Sequence, residues 1–548
     1  MKRILALLII ALLTVTLFSG CSDSTPQLSE QPDKDEVTPS PSADISDQPE
    51  EPSGVRLPIT DEKTTITDWK TIQTLSAVFT DWNDCTGYQE LEKRTNIHVE
   101  FLIPAVGNEA ENFNLLMVSE EFPDIIEFFT SYYTRGIDDA IEQEIIIRLN
   151  DIVDMYMPNY KALISDPERA LKTVTDNGNI GALYCIYDEP QNPWAGISIR
   201  KDWLDDLGLE IPRTYNEWYE VLTEFRDKKG ATSPMLLNSN GDSIIGNNWV
   251  GGFGTINGFL QKNGTVYYGP LLPEYKTYLE TFSKWYAEGL IDRDFTTQQD
   301  PFDNTKAYSG QAGAWYGFAS GDYEYLAGKT EDVNFIGLAV QNPVLNKGDT
   351  SHFKVMSSDV GLGSCISTDC DNVEIVARWL DYCYSEEGSI YLNFGTENVT
   401  FFFDENGEPT MDAEGMEKVF NMPFATCRQA TGPVEAPYLR RMYRTTPVKK
   451  ASVPMSEYFY QSYETWGKDK QDWMIPANIS PTAEEATEFA TLFSDINTYV
   501  TENTIKIIVG SLQLSEYDKI VEEIKDMGIE RCIELRQAAV TRYFERTK

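Results

Sequence analysis

Residues 72–126 read IQTLSAVFTDWNDCTGYQELEKRTNIHVEFLIPAVGNEAENFNLLMVSEEFPDII, and their punctuation decides the fold class. Ile72–Val78 has the composition of a strand, Tyr88–Thr95 the spacing of a helix, and Ile97–Phe101 is a second apolar run bounded by polar residues. Asn112–Ser119 reads as a short helix ahead of Pro123-Asp124-Ile125-Ile126, a third strand. Strand, helix, strand, helix, strand predicts a parallel sheet with right-handed crossovers, hence an α/β fold. Ligands of such sheets bind beyond the carboxyl ends of the strands. That places Phe128, Phe129 and Tyr132, just past Ile126, at a candidate site.

Toward the N-terminus the sequence carries an address. Met1-Lys2-Arg3 precedes an apolar stretch, Ile4–Leu17, too short for a bilayer that needs roughly 20 residues. Phe18-Ser19-Gly20-Cys21 follows and is similar to a bacterial lipobox, with Phe18 where Leu is usual. Residues 1–20 are thus expected to be a lipoprotein signal peptide and Cys21 the lipidated residue. Residues 21–63, rich in Ser, Pro, Asp and Glu, form a predicted disordered acidic tether. No other segment competes as a membrane anchor.

The 548 residues carry a formal charge of −42, which excludes nucleic acid as a partner, because such proteins need a basic footprint. Catalytic patterns are absent. His98 and His352 stand far apart outside any metal-ligand spacing, no GxSxG is present, and no metal or cofactor is expected. Gly328-Lys329-Thr330 lacks the first glycine of a phosphate-binding loop. Asp404-Glu405-Asn406-Gly407-Glu408 resembles a calcium loop but has Pro409 where the sharp turn needs glycine, so a hairpin turn is expected. The seven cysteines beyond Cys21 are scattered; buried thiols are the expectation, with one or two bridges left open.

Several blocks carry a family resemblance. LEKRTNIHVEF (91–101), NLLMVSEEFPDII (114–126), IIIRLNDIVDMYMPNY (145–160), ISIRKDWLDDLGLEIPRTYNEWYEVLTEF (197–225) and IVGSLQLSEYDKIVEEIKDMGIERCIELRQAAVTRY (508–543) resemble family 1 of the extracellular solute-binding proteins. These are the receptors of bacterial ABC sugar importers, and the long Gram-positive lipoproteins related to alginate- and pectin-oligosaccharide receptors are the most similar. Physically these blocks are structural: Gly208 suits a helix C-cap, and Thr214 with Glu217 forms a capping box. Arg200-Lys201 is either a solvated pair or a carboxylate clamp.

The resemblance implies a two-lobed periplasmic-binding-protein-like (type II) fold with a hinge and an interlobe cleft. Crossings are expected near 185–196, 335–343 and 359–366. The first lobe would hold 64–188 plus 336–360, and the second 190–334 plus 364–548. The implied function is capture of an oligosaccharide by hinge closure in a monomeric receptor, lipid-anchored on the extracellular face of the membrane, that delivers it to ABC permease subunits. A secreted glycan-active enzyme and a surface adhesin or sensor without a transporter are the rival readings.

A pyranose has an apolar C–H face that stacks on aromatic rings, and 11 tryptophans and 29 tyrosines supply them. Those in Gly/Asn-rich loops are the ligand candidates: Trp82 with Asn83, Trp194, Asn248 with Trp249, Trp315 with Tyr316, and Trp466. Trp249 and Trp315 match cleft-facing segments of the family. Trp203, Trp218, Trp285 and Trp379 lie on amphipathic helices and are expected in the core. Asp359, before a presumed hinge strand, and Arg428, in a Pro/Gly-bounded loop, complete the set. For a uronate ligand, Arg428, Arg440 or Arg441 would pair with the carboxylate; neutral and uronic sugars both remain open at this point.

Overall fold

The computed structural model describes residues 55–547 apart from 73–77, 192, 238–243, 299–302, 319–331, 333, 355–357, 429, 434, 442–456 and 478. Cys21, the tether up to 54, most of the expected strand 72–78 and Gly328-Lys329-Thr330 therefore lie outside the described residues.

The strands, in chain order, are β1 (Thr64–Trp69), β2 (Ile97–Leu102), β3 (Ile125–Ile126), β4 (Leu183–Tyr187), β5 (Ala195–Arg200), β6 (Phe259–Lys262) and β7 (Thr265–Tyr268). They continue with β8 (Ala314–Phe318), β9 (Gly337–Ala339), β10 (Val360–Ile366), β11 (Phe401–Phe403), β12 (Pro409–Met411) and β13 (Leu439–Arg440). The first sheet has the order β13-β4-β10-β3-β1-β2, with β1 parallel to both β2 and β3 and β10 antiparallel to β3 and β4. Helices Thr86–Thr95 and Glu109–Ser119 make the crossovers. The sheet opens with Thr64–Trp69, ahead of the expected strand at 72–78: in TTITDW, Ile66, Asp68 and Trp69 are buried. Packing also begins earlier than the expected tether end, since Val55 is buried and Ile59 N–H donates to Thr95 O.

A second sheet, β8-β5-β9, is antiparallel throughout. Each sheet has its own apolar core. The first unites 55–187 with 360–438, and the second unites 195–340 with the helices Ala483–Ile508, Tyr517–Asp526 and Ile529–Arg546. The molecule is therefore two-lobed, with a different partition from the expected one. β9 pairs with β5, so 337–339 belongs to the second sheet. Residues 364–440 belong with the first core, because β10 inserts between β3 and β4 and helix Val373–Tyr384 docks beneath them: Trp379 stacks 6.4 Å from Tyr88, and Asp381 accepts from Tyr160 N–H at 2.9 Å.

The chain leaves the first core after Tyr187, is back beside it at Ser358-Asp359, and leaves it again after Arg441. These passages run side by side. Gln191 N–H donates to Ser358 O, Tyr187 N–H to Asp359 O and Asp188 N–H to Arg440 O. The passages meet beside β4 and form the hinge; the segments 335–343 and 359–366, expected as crossings, lie with the second and the first sheet respectively, because β9 pairs with β5 and β10 inserts between β3 and β4.

Local signals hold at residue level. Gly208 is the left-handed C-cap of helix Lys201–Leu207, and Thr214 and Glu217 make the capping box of helix Tyr215–Lys229. Asp404–Glu408 is a hairpin turn in which Asp404 Oδ1 accepts from the Asn406 and Glu408 amides. Seven free cysteines are buried among the described residues.

Candidate functional site

The hinge is at the carboxyl ends of β4 and β13, so the same edge of the first sheet borders the interlobe cleft. Lys70 and Glu127 follow β1 and β3 there and form an ion pair beside Asp68, all three buried. Burial raises the Asp68 carboxyl well above its ordinary value, the neighbouring Glu127 adds to this, and Lys70 opposes it. Burial likewise raises Glu127 against the pull of Lys70. The Lys70 ammonium lies 4.8 Å from the Trp82 ring centroid. These groups form a rigid floor.

Phe128 sits on that floor with φ +55°. A non-glycine residue held there is strained, and such strain concentrates at ligand sites. Its ring is half-buried, while Phe129 is fully buried against Phe113 and Tyr133. Beside it, Thr130 Oγ1 accepts from Gly363 N–H at 2.9 Å, tying the turn to β10.

Across the hinge, Trp194 opens β5 and stacks on Phe318 at the end of β8, with 5.5 Å between centroids and 28° between planes. Both rings are half-buried. Trp466 backs this pair: its indole N–H donates to Ile197 O, and a β-carbon on Gly196 would come within 2.5 Å of the ring. Glycine at 196 is what lets the indole lie flat on β5.

The remaining candidates are committed elsewhere. Trp82 is buried and its N–H donates to Thr71 O; Asn83 donates to Asp81 and to Val99 O. Trp249 has no exposed surface and meets Trp218 edge to face at 4.9 Å, with Asn248 buried beside it. Trp315 is equally buried, 5.7 Å from Phe335, and Tyr316 faces inward on the same strand. Asp359 is held by Arg169 at 2.8 Å and Lys172 at 2.5 Å; burial pushes its carboxyl up, but these two cations bring it below the ordinary value. Arg200, buried, clamps Asp202 and Asp332 between the Trp203 and Phe335 rings, so of the two readings of Arg200-Lys201 the clamp applies to Arg200. Trp203, Trp218, Trp285 and Trp379 are in the core.

Arg428 lies elsewhere on the hinge edge. With Arg440, Arg441, Asn393, Thr431 and Tyr438 it lines a pocket at the end of β13, and its guanidinium is 5.1 Å from the Phe459 ring of the second lobe. Among the described residues, no group of three His, Cys, Asp or Glu side chains has the arrangement of a metal site. Phe318 and the Lys70–Glu127 pair were not singled out in the sequence; ionisable residues directly after apolar strands were the available signal for the latter.

Two lobes, each with its own sheet and core and with half-buried aromatic rings at strand ends, fit a solute-binding class of protein. Residues 70–390 match the family described as bacterial extracellular solute-binding protein, and this chain belongs to that family. The fructooligosaccharide ABC transporter substrate-binding protein FusA of Streptococcus pneumoniae serotype 4 is 24% identical over 84% of this chain and 88% of its own. The polygalacturonan/rhamnogalacturonan-binding protein YtcQ of Bacillus subtilis is 22% identical over 81% of this chain and 86% of its own. Lipoprotein LipO of the same organism is 28% identical, over 41% of this chain and 44% of its own. The fold is shared with the alginate-binding protein AlgQ2 (TM-score 0.70, 19% identity) and with S. pneumoniae FusA in complex with kestose (TM-score 0.70, 20% identity), each match covering 88% of this chain and 99% of the other.

Proposed function

We propose that this protein captures an oligosaccharide between its lobes and delivers it to an ABC importer, acting as a receptor and not as an enzyme. The carrying observation is that each lobe keeps half-buried aromatic rings at strand ends, Phe128 after β3 on the first and Trp194 stacked on Phe318 on the second. Rings so placed suit the C–H faces of a sugar chain, and the names of the relatives FusA and YtcQ, each aligned over more than four-fifths of this chain, support that class of ligand. A ligand that touches both lobes favours the closed form by its differential affinity, and closure is the signal a permease reads.

Trp82, Asn83, Asn248, Trp249, Trp315, Tyr316, Phe129, Asp359 and Trp466 act, in this reading, as the support behind the contact residues. Anchoring through Cys21 and the acidic tether keeps the receptor near its importer, where effective concentration replaces tight association. Mass spectrometry of the mature N-terminus is expected to find acylated Cys21; an unmodified thiol there removes the anchor. Small-angle scattering is expected to show compaction when a bound oligosaccharide is added. A glycan that binds without compaction overturns the closure mechanism.

A further inference from the structure

We propose that Lys70 and Glu127 are positioning residues for the sugar contact: their buried ion pair fixes the turn after β3 and, through it, the orientation of the Phe128 ring. The inference rests on the oligosaccharide-receptor reading and deepens it.

Asp68, Lys70 and Glu127 are all buried, and Lys70 pairs directly with Glu127. Stability alone does not account for them. Apolar residues of similar volume hold a sheet edge as well as a buried ion pair or better, because the pair must first give up its hydration. What an ion pair adds is direction, since a buried carboxylate has to point at its cation. Two carboxyls and one ammonium leave one negative charge over, and Asp68, raised by burial and by the neighbouring Glu127, is the group that keeps its proton. The Lys70 ammonium therefore has Glu127 as its charged partner, and their contact ties the end of β3 to the end of β1.

Glu127 adjoins Phe128, whose φ of +55° is unfavourable for a residue with a β-carbon and persists only where the surroundings over-determine it. On the near side Glu127 is held twice, by its N–H donating to Trp69 O at 3.0 Å and by its carboxylate on Lys70. Lys70 is held in turn: its N–H donates to Leu102 O at 3.2 Å, and its ammonium lies 4.8 Å from the Trp82 ring centroid and 5.6 Å from that of Tyr88. On the far side Phe129 is fully buried, Thr130 Oγ1 accepts from Gly363 N–H at 2.9 Å, and Ser131 N–H donates to Phe128 O at 2.9 Å. With both flanks pinned, the left-handed turn falls on Phe128, whose ring stays half-buried.

Loss of the Glu127 charge does not strand Lys70, because Asp68 is then free to ionise and pair with it. Asp68 belongs to β1, however, so the tie to β3 is lost. Glu127→Gln thus separates positioning from folding.

The ring is read directly by placing para-fluorophenylalanine at position 128. Fluorine NMR is expected to give one sharp resonance in the parent and a broadened or split one in Glu127→Gln. An equally sharp single resonance in the variant overturns the proposal, with or without a ligand. For binding, a broad set of oligosaccharides that includes kestose and trigalacturonate is screened by calorimetry and the tightest binder is used throughout. Phe128→Ala and Glu127→Gln are each expected to weaken it roughly three- to tenfold. The double variant is expected to bind as Phe128→Ala does, since without the ring nothing is left to position. Losses that multiply in the double variant make Glu127 a general support and overturn the positioning role, as does unchanged affinity in Glu127→Gln. Where Glu127→Gln does not fold, Lys70→Met combined with Glu127→Leu, which leaves no unpaired charge beside a neutral Asp68, takes its place in every arm. If the screen detects no binding to the parent, the receptor reading falls and the sugar role of Phe128 with it, while the fluorine spectra still decide what holds the ring.

Discussion

Trp194 stacks on Phe318 and keeps part of its ring exposed, whereas Trp249 is sealed beneath Trp218. Removing the first ring takes a stacking surface from the ligand and little from the core. Trp194→Ala is therefore expected to weaken oligosaccharide binding roughly three- to tenfold by calorimetry, with its melting temperature nearly unchanged. Trp249→Phe should do the reverse, losing roughly 1–3 kcal/mol of stability to chemical denaturation without a change in affinity of the folded protein. A Trp249→Phe protein of normal stability and poor affinity would return Trp249 to the site. In sequence the two indoles look alike, each in a short loop among Asn, Pro or Gly. What separates them is the helix Tyr215–Lys229, which brings Trp218 over Trp249, a contact no local pattern encodes. Phe128 was legible as a residue past a strand end, but its positive φ is visible only once the turn is built.

At the scale of elements, one buried titratable group joins two segments of the second lobe. Asp469, just after helix Glu457–Gly467, accepts from Asn342 N–H at 2.9 Å and from Gln341 Nε2 at 3.2 Å, joining that helix to the segment after β9. Burial pushes its carboxyl up to about 6, against the lowering effect of the Asn342 amide and the charge of Arg213. A carboxyl that holds its proton more tightly folded than unfolded stabilises the protein fully below the unfolded value, near 3.8, and that contribution is lost as pH rises through about 6. Relative to Asp469→Asn, which keeps an acceptor and cannot ionise, the parent should lose on the order of 2 kcal/mol between pH 4 and 6.5. Thermal or urea unfolding of both proteins across that window is the measurement, and parallel pH profiles would exclude Asp469 as the cause. Helices and caps of this kind were readable because their signals are local, as with Thr214 and Glu217. Thr64–Trp69 escapes a local reading because its apolar residues are few, and only register against Ile97–Leu102 makes it a strand of the sheet.

At the scale of the whole molecule, lobe membership of 364–440 depends on where β10 pairs, and pairing between residues more than 170 apart leaves no periodic trace in the chain. A second long-range feature bears on closure. Helix Ile529–Arg546 of the second lobe reaches the first: Arg542 Nε lies 2.7 Å and Arg546 Nε 3.1 Å from Asp176, and Arg546 Nη1 donates to Val174 O at 2.8 Å. Glu485 holds Arg542 from behind. Apart from the hinge, this contact restrains how far the lobes swing. Each of these partly buried ion pairs contributes on the order of 1 kcal/mol, and a two-state equilibrium between open and closed lobes responds to differences of that size. Asp176→Asn is expected to release both arginines, raise the radius of gyration of the ligand-free protein in small-angle scattering, and weaken oligosaccharide binding several-fold, because the ligand must then draw in lobes that start further apart. High salt should produce the same expansion in the parent, since screening at 1 M cuts the range of these charges to about 3 Å, and none in Asp176→Asn. An unchanged radius in both experiments would assign the contact to static packing between the lobes and leave the hinge passages alone in control of the opening.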